Sequence, residues 1–534
     1  MREHWGSRLG FVLAIAGSAI GLGNIWKFPY MCGMNGGGAY VLIYIICVLL
    51  VGLPLFLAEL TLGRATQTST VGAFCKFTPA KTLLADVLGG FLTLTGLTLI
   101  VLKSYGFGIS AVIAGALMLI LGWKAIGYIS GLFIPIAISS YYAVIGGWTL
   151  IYIFKSFAGK LNFNDAASAE AAMVPIVNAD GDMKKWVIIA MMLFVVLSAG
   201  VILSGVKKGI ERWSKILMPT LFALLIVLII RGLTLPGAIN GLKFFLYPDF
   251  SKLSTDSVIA AMGQSFFTLS IGMGIVLTYG SYLNSKENII KSAFTVVGLD
   301  TLAALMAGVA IFPAVFAMGF SESSGPVLIY QILPVTFNHI PGGLSWLWNG
   351  IFFLMIAIAA FTSEMSILEP PVRICVDEFR WSRKVSVCVV TAVSVLLGVF
   401  CALSMNNWDH LPGIRSAMVW AWGESGISSS LFEATDNLCC KWLMPIGGML
   451  MSIYIGWIWG MRHALKELHH GVSDRINGNL WLLLSGIKDT SGSEGRKYSL
   501  FSFSVIWGFF VRVLTPVLVF FAFLNEIGVI KIGK

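Results

Sequence analysis

Eleven apolar runs, each long enough to cross a hydrocarbon core that takes about 20 residues of helix, alternate with polar links along the chain. They lie near 8–33, 38–63, 125–154, 186–205, 213–232, 256–282, 290–319, 344–374, 385–404, 438–462 and 502–525. Runs of this length predict spanning helices. A further apolar stretch, about 83–102 and 106–122, is split by Lys103, Ser104, Tyr105 and Gly106. Two short crossings or a re-entrant hairpin both fit it, and either leaves the sidedness of the later helices unchanged.

Two of the runs are interrupted in the middle. The first contains Ser18-Ala-Ile-Gly21-Leu-Gly23, and the sixth contains Ser270-Ile-Gly272-Met-Gly274. Glycines in membrane helices also serve close packing. A matched pair at the first helix of each of two five-helix halves points instead to unwound segments at the midplane of an inverted-repeat transporter. Lipid satisfies no backbone N–H or C=O group, so non-helical chain at this depth must line a cavity or bind something. Freed carbonyls suit a small hard cation, freed N–H groups suit an anion, and a zwitterion suits both.

Composition agrees with a polytopic membrane protein: the 534 residues are 57% hydrophobic and 12% charged, with mean hydropathy +0.86. The net charge of +10 is spread over alternate loops, at Arg8, Arg64, Lys76, Lys124, Lys207, Lys208, Arg380, Arg383, Arg462 and Lys466 among others, so no nucleic-acid patch is formed. This asymmetry predicts a cytoplasmic N-terminus and an external C-terminus. Met1–Arg8 is polar and the run behind it is too long for a cleavable signal, so the first helix is expected to remain in the mature protein. The eight cysteines show no C-x-x-C pair and no zinc spacing, and they read as packing residues.

The run from Arg2-Glu-His-Trp5 through GLGNIWKFPY, then NGGGAY, SYYAVIGGW, GQSFFTLSIGMG, GLDTLAALMAG and FTSEMSILEP, closely resembles the neurotransmitter:sodium symporter family, in particular its bacterial amino-acid transporters. The resemblance implies an all-α polytopic membrane protein with a 5+5 inverted-repeat core, broken helices 1 and 6, and an eleventh helix. The expected organisation is a first repeat over 1–232 with the insertion at about 83–122, an external connection over 233–255 and a second repeat over 256–464. A cytoplasmic link over 465–501 and the last helix with an external C-terminus over 502–534 complete it.

The resemblance further implies two sodium ions. Gly17, Ile20 and Ala359 carbonyls with Thr362 and Ser363 hydroxyls would hold one. Ala19, Asn24, Thr268, Asp300 and the substrate's own carboxylate would hold the other, which couples ion and substrate by a shared ligand. The carboxylate would meet the N–H groups of Leu22 and Gly23 and the Tyr142 hydroxyl, and the ammonium would meet carbonyls of Ala19, Phe267 and Thr268. Gly21 stands where amine-transporting relatives carry aspartate, which favours an α-amino acid over a monoamine. Ile138, Phe267, Ser270, Met273, Ser363 and Ile367 would line a mostly apolar pocket suited to an aliphatic or aromatic side chain. Glu364 beside it would read a polar substrate tip, exchange a proton, or bond a nearby hydroxyl.

Lys27 and Asp436 are the expected outer gate, with Tyr142 and Phe267 as a lid. Lysine replaces the family's usual arginine and loses its bidentate fork. Arg2, Trp5, Ser281, Tyr282 and Asp377 are the expected inner gate, and Gly209 with Pro219 would let the fifth helix unwind to release sodium. Asp300 is asparagine in many relatives, and Ala304 lacks the acid or hydroxyl found there in others. A buried aspartate would supply the negative charge that chloride supplies elsewhere, so no chloride is expected.

The sequence therefore predicts a sodium-coupled, chloride-independent symporter of apolar or aromatic amino acids, working by alternating access. It would be a monomer or homodimer in a bilayer, with no nucleic-acid partner, and its short termini suit a bacterial inner membrane. A channel of the same fold and a transport-dead amino-acid sensor are the alternatives. No H-E-x-x-H, G-x-S-x-G or G-x-x-x-x-G-K-[ST] occurs, so neither an intramembrane enzyme nor an ATP-driven pump is expected.

Overall fold

The computed structural model describes residues 3–77, 79, 82–101, 105–235, 237–317, 328–339, 343–405, 415–416, 430–470 and 503–526. Within these, apart from an isolated bridge between Gly37 and Pro248, the regular structure is helical. The expected gate residue Arg2 lies outside the described residues. So do Lys103, Ser104, the 465–501 link beyond 470 and the C-terminus beyond 526.

The first run forms α1 (Arg8–Ala19) and α2 (Gly23–Met34), bent by 45° at the break. Besides short connecting helices at Thr70–Ala73, Ala166–Val177, Ala238–Leu246 and Leu328–Asn338, the elements that follow are α3 (Gly38–Thr66), α4 (Leu83–Val101), α5 (Tyr105–Leu121), α6 (Lys124–Phe157), α7 (Met183–Leu203) and α8 (Val206–Leu233). They continue with α9 (Thr255–Thr268), α10 (Ile275–Gly280), α11 (Ile289–Ala317), α12 (Ser345–Asp377), α13 (Arg383–Leu403), α14 (Leu431–Leu468) and α15 (Val505–Ala522). Each of the eleven apolar runs thus becomes one helix or one broken pair, and the sixth run is divided into α9 and α10.

Proline shapes several spans. Pro29, Pro54, Pro135, Pro445 and Pro516 each stand two residues after a widened π-helical turn, at Gly23–Lys27, Val48–Gly52, Ile129–Phe133, Leu438–Leu443 and Phe510–Leu514. A proline donates no N–H to the carbonyl four residues earlier, so the ladder loosens ahead of it. At Arg512 the freed oxygen takes the Trp457 indole N–H from the neighbouring helix, at 3.1 Å.

The split apolar insertion forms an antiparallel pair, α4 against α5, of 19 and 17 residues. At 1.5 Å per residue these are roughly 25–28 Å long. A Cβ on Gly115 would come within 2.6 Å of the Gly89 oxygen, so the two backbones touch where both residues are glycine. The base is pinned by Trp123, whose indole donates to Thr82 Oγ1 at 2.8 Å.

At the centre, α6 packs along α12, with α7 and α13 behind, while α1 lies against α8, α11 and α12. Large apolar side chains such as Leu50, Phe154, Ile230 and Leu396 remain exposed on the outer faces. In water they would be a liability; on a spanning helix they are the lipid-facing surface.

A cavity between two broken helices

The break in α1–α2 begins at Ile20, whose ψ of 84° leaves the helical region, and the helix resumes at Gly23. In α9–α10 the chain leaves the helix after Thr268 and passes through Ser270, Gly272 and Gly274 at φ of 55°, 79° and 70°. Left-handed backbone at Gly272 costs little without a Cβ, and a Cβ there would collide with the Met444 main-chain oxygen. Glu59 Oε1 accepts from the Gly272 N–H at 2.7 Å and satisfies one of the amides that unwinding frees.

The two breaks are stitched to each other. Ser18 Oγ donates to Ser270 Oγ at 3.2 Å, and Ser270 Oγ donates to the Ser18 carbonyl at 3.1 Å. Ser363 of α12 donates to the same carbonyl at 3.1 Å. The Leu22 N–H donates to the Tyr142 hydroxyl at 3.1 Å, and Gln264 Nε2 donates to the Gly23 carbonyl at 2.7 Å.

Between the breaks lies a small cavity, lined by Ser18, Ala19, Gly21, Gly23, Ile138, Tyr142, Phe267, Ser270, Met273, Ser363 and Ile367. A Cβ at Gly21 would collide with Ser363 Oγ and come within 2.8 Å of the Tyr142 hydroxyl, so only glycine fits this arrangement. Leu22, Thr268 and Glu364 are not on the cavity wall. Glu364 Oε1 accepts from Ser139 Oγ at 2.5 Å, and its Oε2 is buried without a partner.

Beside the cavity, Asn24 Nδ2 donates to Asp300 Oδ1 at 2.8 Å and to the Asp300 carbonyl at 3.0 Å. Thr268 Oγ1 donates to Asp300 Oδ2 at 2.9 Å, and the Tyr44 hydroxyl reaches the same oxygen at 3.4 Å. Asn24 Oδ1 is buried and has no hydrogen-bond partner. On the other side, Thr362 Oγ1 lies 3.1 Å from the Ala359 carbonyl, and Ser363 Oγ lies 3.3 Å from that of Gly17. The first cluster offers amide, hydroxyl and carboxylate oxygens and the second main-chain carbonyl and hydroxyl oxygens, both donor sets suited to a small hard cation. Among the described residues no group of three His, Cys, Asp or Glu side chains could hold a metal ion instead.

Both mouths are shut. Lys27 Nζ lies 3.2 and 3.1 Å from the two Asp436 oxygens and 4.6 Å from the centroid of the Phe267 ring. The lysine lacks the guanidinium fork but places its charge over the Phe267 ring, a contact worth about 0.5–1 kcal/mol. At the other end the Trp5 indole donates to the Tyr279 carbonyl at 3.0 Å, and its ring packs edge-on against Tyr279 and Tyr282. Asp377 pairs with Arg373 at 2.9 Å and accepts from the Ser69 N–H. Ser281 Oγ bonds within its own turn, to the Thr278 carbonyl.

Cross-links that the sequence reading did not single out also hold the inner mouth. Glu369, fully buried, accepts from Tyr282 at 2.7 Å and from both terminal nitrogens of Arg383 at 3.1 and 2.7 Å. Glu3 reaches the Val206 N–H at 2.6 Å, and Glu211 takes the Gly6 N–H at 2.6 Å and the Ser7 hydroxyl at 2.9 Å. These two carboxylates tie the N-terminal segment to the first turns of α8. That stretch is itself wide, with a π-helical turn at Val206–Glu211, and contains Gly209; Pro219 follows inside the helix. A carboxylate embedded in an apolar run is the signal that marks Glu59 and Glu369 in the sequence.

Spanning helices broken in mid-membrane around a closed cavity are the architecture of a secondary transporter. Comparison with known proteins gives the family. The model of the Sodium:neurotransmitter symporter family matches residues 2–105 and 171–408, and the chain belongs to that family. It is 34% identical over 529 residues to the uncharacterized sodium-dependent transporter YhdH of Bacillus subtilis, covering 99% of this chain and 98% of that protein. It is 29% identical to the uncharacterized sodium-dependent transporter MJ1319 of Methanocaldococcus jannaschii, over 91% of this chain and 88% of the other. The crystal structure of MhsT in complex with L-phenylalanine matches with a TM-score of 0.75 and 34% identity, over 98% of this chain and all of that one. The protein is thus a multi-pass membrane protein of a family of sodium-dependent transporters.

Proposed function

We propose that the protein carries apolar or aromatic α-amino acids together with two sodium ions, without chloride, by alternating access between two five-helix repeats. The observation that carries this reading is the cavity itself. Its wall is mostly apolar, and Gly21 leaves no room there for a fixed carboxylate, so a ligand must bring its own. Binding of L-phenylalanine by MhsT supports the same class of substrate.

In this reading the ligand's carboxylate sits at the Leu22 and Gly23 N–H groups and the Tyr142 hydroxyl, and also completes the first ion's shell with Ala19, Asn24, Thr268 and Asp300. The second ion lies among Gly17, Ile20, Ala359, Thr362 and Ser363. Asp300 brings a fixed negative charge to the first ion, which removes the need for chloride. Each sodium moving inward gains roughly 2.3 kcal/mol per 100 mV and about 1.4 kcal/mol per tenfold gradient. Two ions can then drive accumulation over several orders of magnitude. The orientation follows the basic loops: N-terminus cytoplasmic, C-terminus external, in a cell inner membrane. Sodium-gradient uptake of a radiolabelled amino-acid panel into proteoliposomes tests this reading, and retention of uptake when gluconate replaces chloride tests the ion requirement.

A further inference from the structure

Arg512 lies seven residues, roughly 10 Å along the helix, from the first residue of α15. Its side chain is exposed, and among the described residues no carboxylate forms an ion pair with it. The guanidinium lies 4.6 Å from the centroid of the Trp457 ring on α14, which is itself 56% exposed. An intramembrane cation is costly unless something pairs with it, which makes this residue a candidate site.

The backbone holds the pair in place. Pro516 cannot donate to the Arg512 carbonyl, and that oxygen accepts from Trp457 Nε1 at 3.1 Å. The neighbouring Val511 carbonyl accepts from Ser452 Oγ. A Cβ on Gly456 would stand 2.9 Å from Arg512 Cγ, so glycine is what lets the two helices meet here.

One helical turn further into the membrane on both helices, at Ile453 and Pro516, begins an open apolar crevice. It is walled by α14, α15 and the inserted helix α4, through residues such as Leu450, Phe520, Phe91 and Leu92, and no polar side chain lines it. A stacked cation at one end and an oily slot leading from it toward the bilayer centre match the two halves of a lipid.

We propose that Arg512, Trp457 and this crevice bind one anionic phospholipid, with its phosphate on the guanidinium and an acyl chain between α4, α14 and α15. Charge complementarity and continuity with the lipid-facing surface both favour a lipid over a carboxylate from a second copy, which would leave the apolar slot unused. The site does not depend on which substrate the transporter carries.

Native mass spectrometry of the full chain in detergent, with equal phosphatidylglycerol and phosphatidylcholine added, tests it. The expected result is one retained phosphatidylglycerol, preferred at least tenfold, and not displaced by millimolar inorganic phosphate. Arg512→Gln should abolish the preference, Arg512→Lys should keep part of it, and Leu450→Trp, which fills the slot, should lower retention of both lipids. Equal retention of the two lipids by the wild type overturns the proposal whatever the variants do. So does unchanged preference in Arg512→Gln, or a dimer that this substitution splits without altering lipid retention.

Discussion

Asn24 Nδ2 donates to Asp300 Oδ1 at 2.8 Å, and the arrangement leaves Asn24 Oδ1 buried without a partner beside the only carboxylate of that cluster. A buried unpaired acceptor costs roughly 1–3 kcal/mol. A cation bound between the amide and the carboxylate recovers that cost, so Asp300→Asn should raise the sodium concentration for half-maximal uptake by tenfold or more. Sodium titration of uptake measures it, and an unchanged midpoint would remove Asp300 from the ion site.

Gly21→Ala places a methyl group against Ser363 Oγ and the Tyr142 hydroxyl. The helices can relax only by moving the cavity wall, so amino-acid binding should weaken at least a hundredfold while the protein still purifies as a monodisperse species. Scintillation proximity binding on the purified variant reports this directly, and near-normal affinity would mean the cavity is not the binding site.

Lys27 and Asp436 are mostly buried, at 13% and 27% side-chain exposure, and the lysine also covers the Phe267 ring. Lys27→Ala removes an ion pair of about 1 kcal/mol together with the ring contact of similar size. Bound substrate should leave several-fold faster, with sodium dependence retained, and Lys27→Arg should restore slow release. Identical dissociation kinetics in all three proteins would show that this pair is no gate.

Removing Arg383 leaves Glu369 buried with Tyr282 as its one remaining partner among the contacts described, and losing one partner of a buried pair costs about 3–5 kcal/mol. Arg383→Ala should therefore melt well below the wild type, and Arg383→Ala with Glu369→Leu should regain much of the loss. A fluorescence-detected thermal series measures both; a single variant as stable as the wild type would make this pair incidental.

The spanning helices and their two breaks were legible because their signals are local. About 20 apolar residues, or a glycine-spaced gap within them, can be read without knowing the fold. The Ser270–Gly274 stretch pointed to unwinding because the gap at Ser18–Gly23 matches it; small residues in a single membrane helix serve close packing as readily. The stitching could not be read that way. Arg383 meets Glu369 and Glu3, and Glu211 meets Gly6, through the packing of separate helices and the N-terminal segment, which no local pattern specifies. The insertion likewise gave its apolar character but not its partner: that α4 would wall a crevice with α14 and α15 depends on tertiary contacts.

The most direct test of the central reading is uptake of radiolabelled amino acids into proteoliposomes holding the purified protein, with an inward sodium gradient and with potassium in its place. The account requires saturable accumulation of a few apolar or aromatic amino acids that depends on sodium and persists in gluconate. Folded, reconstituted protein that accumulates no amino acid under the sodium gradient would contradict it.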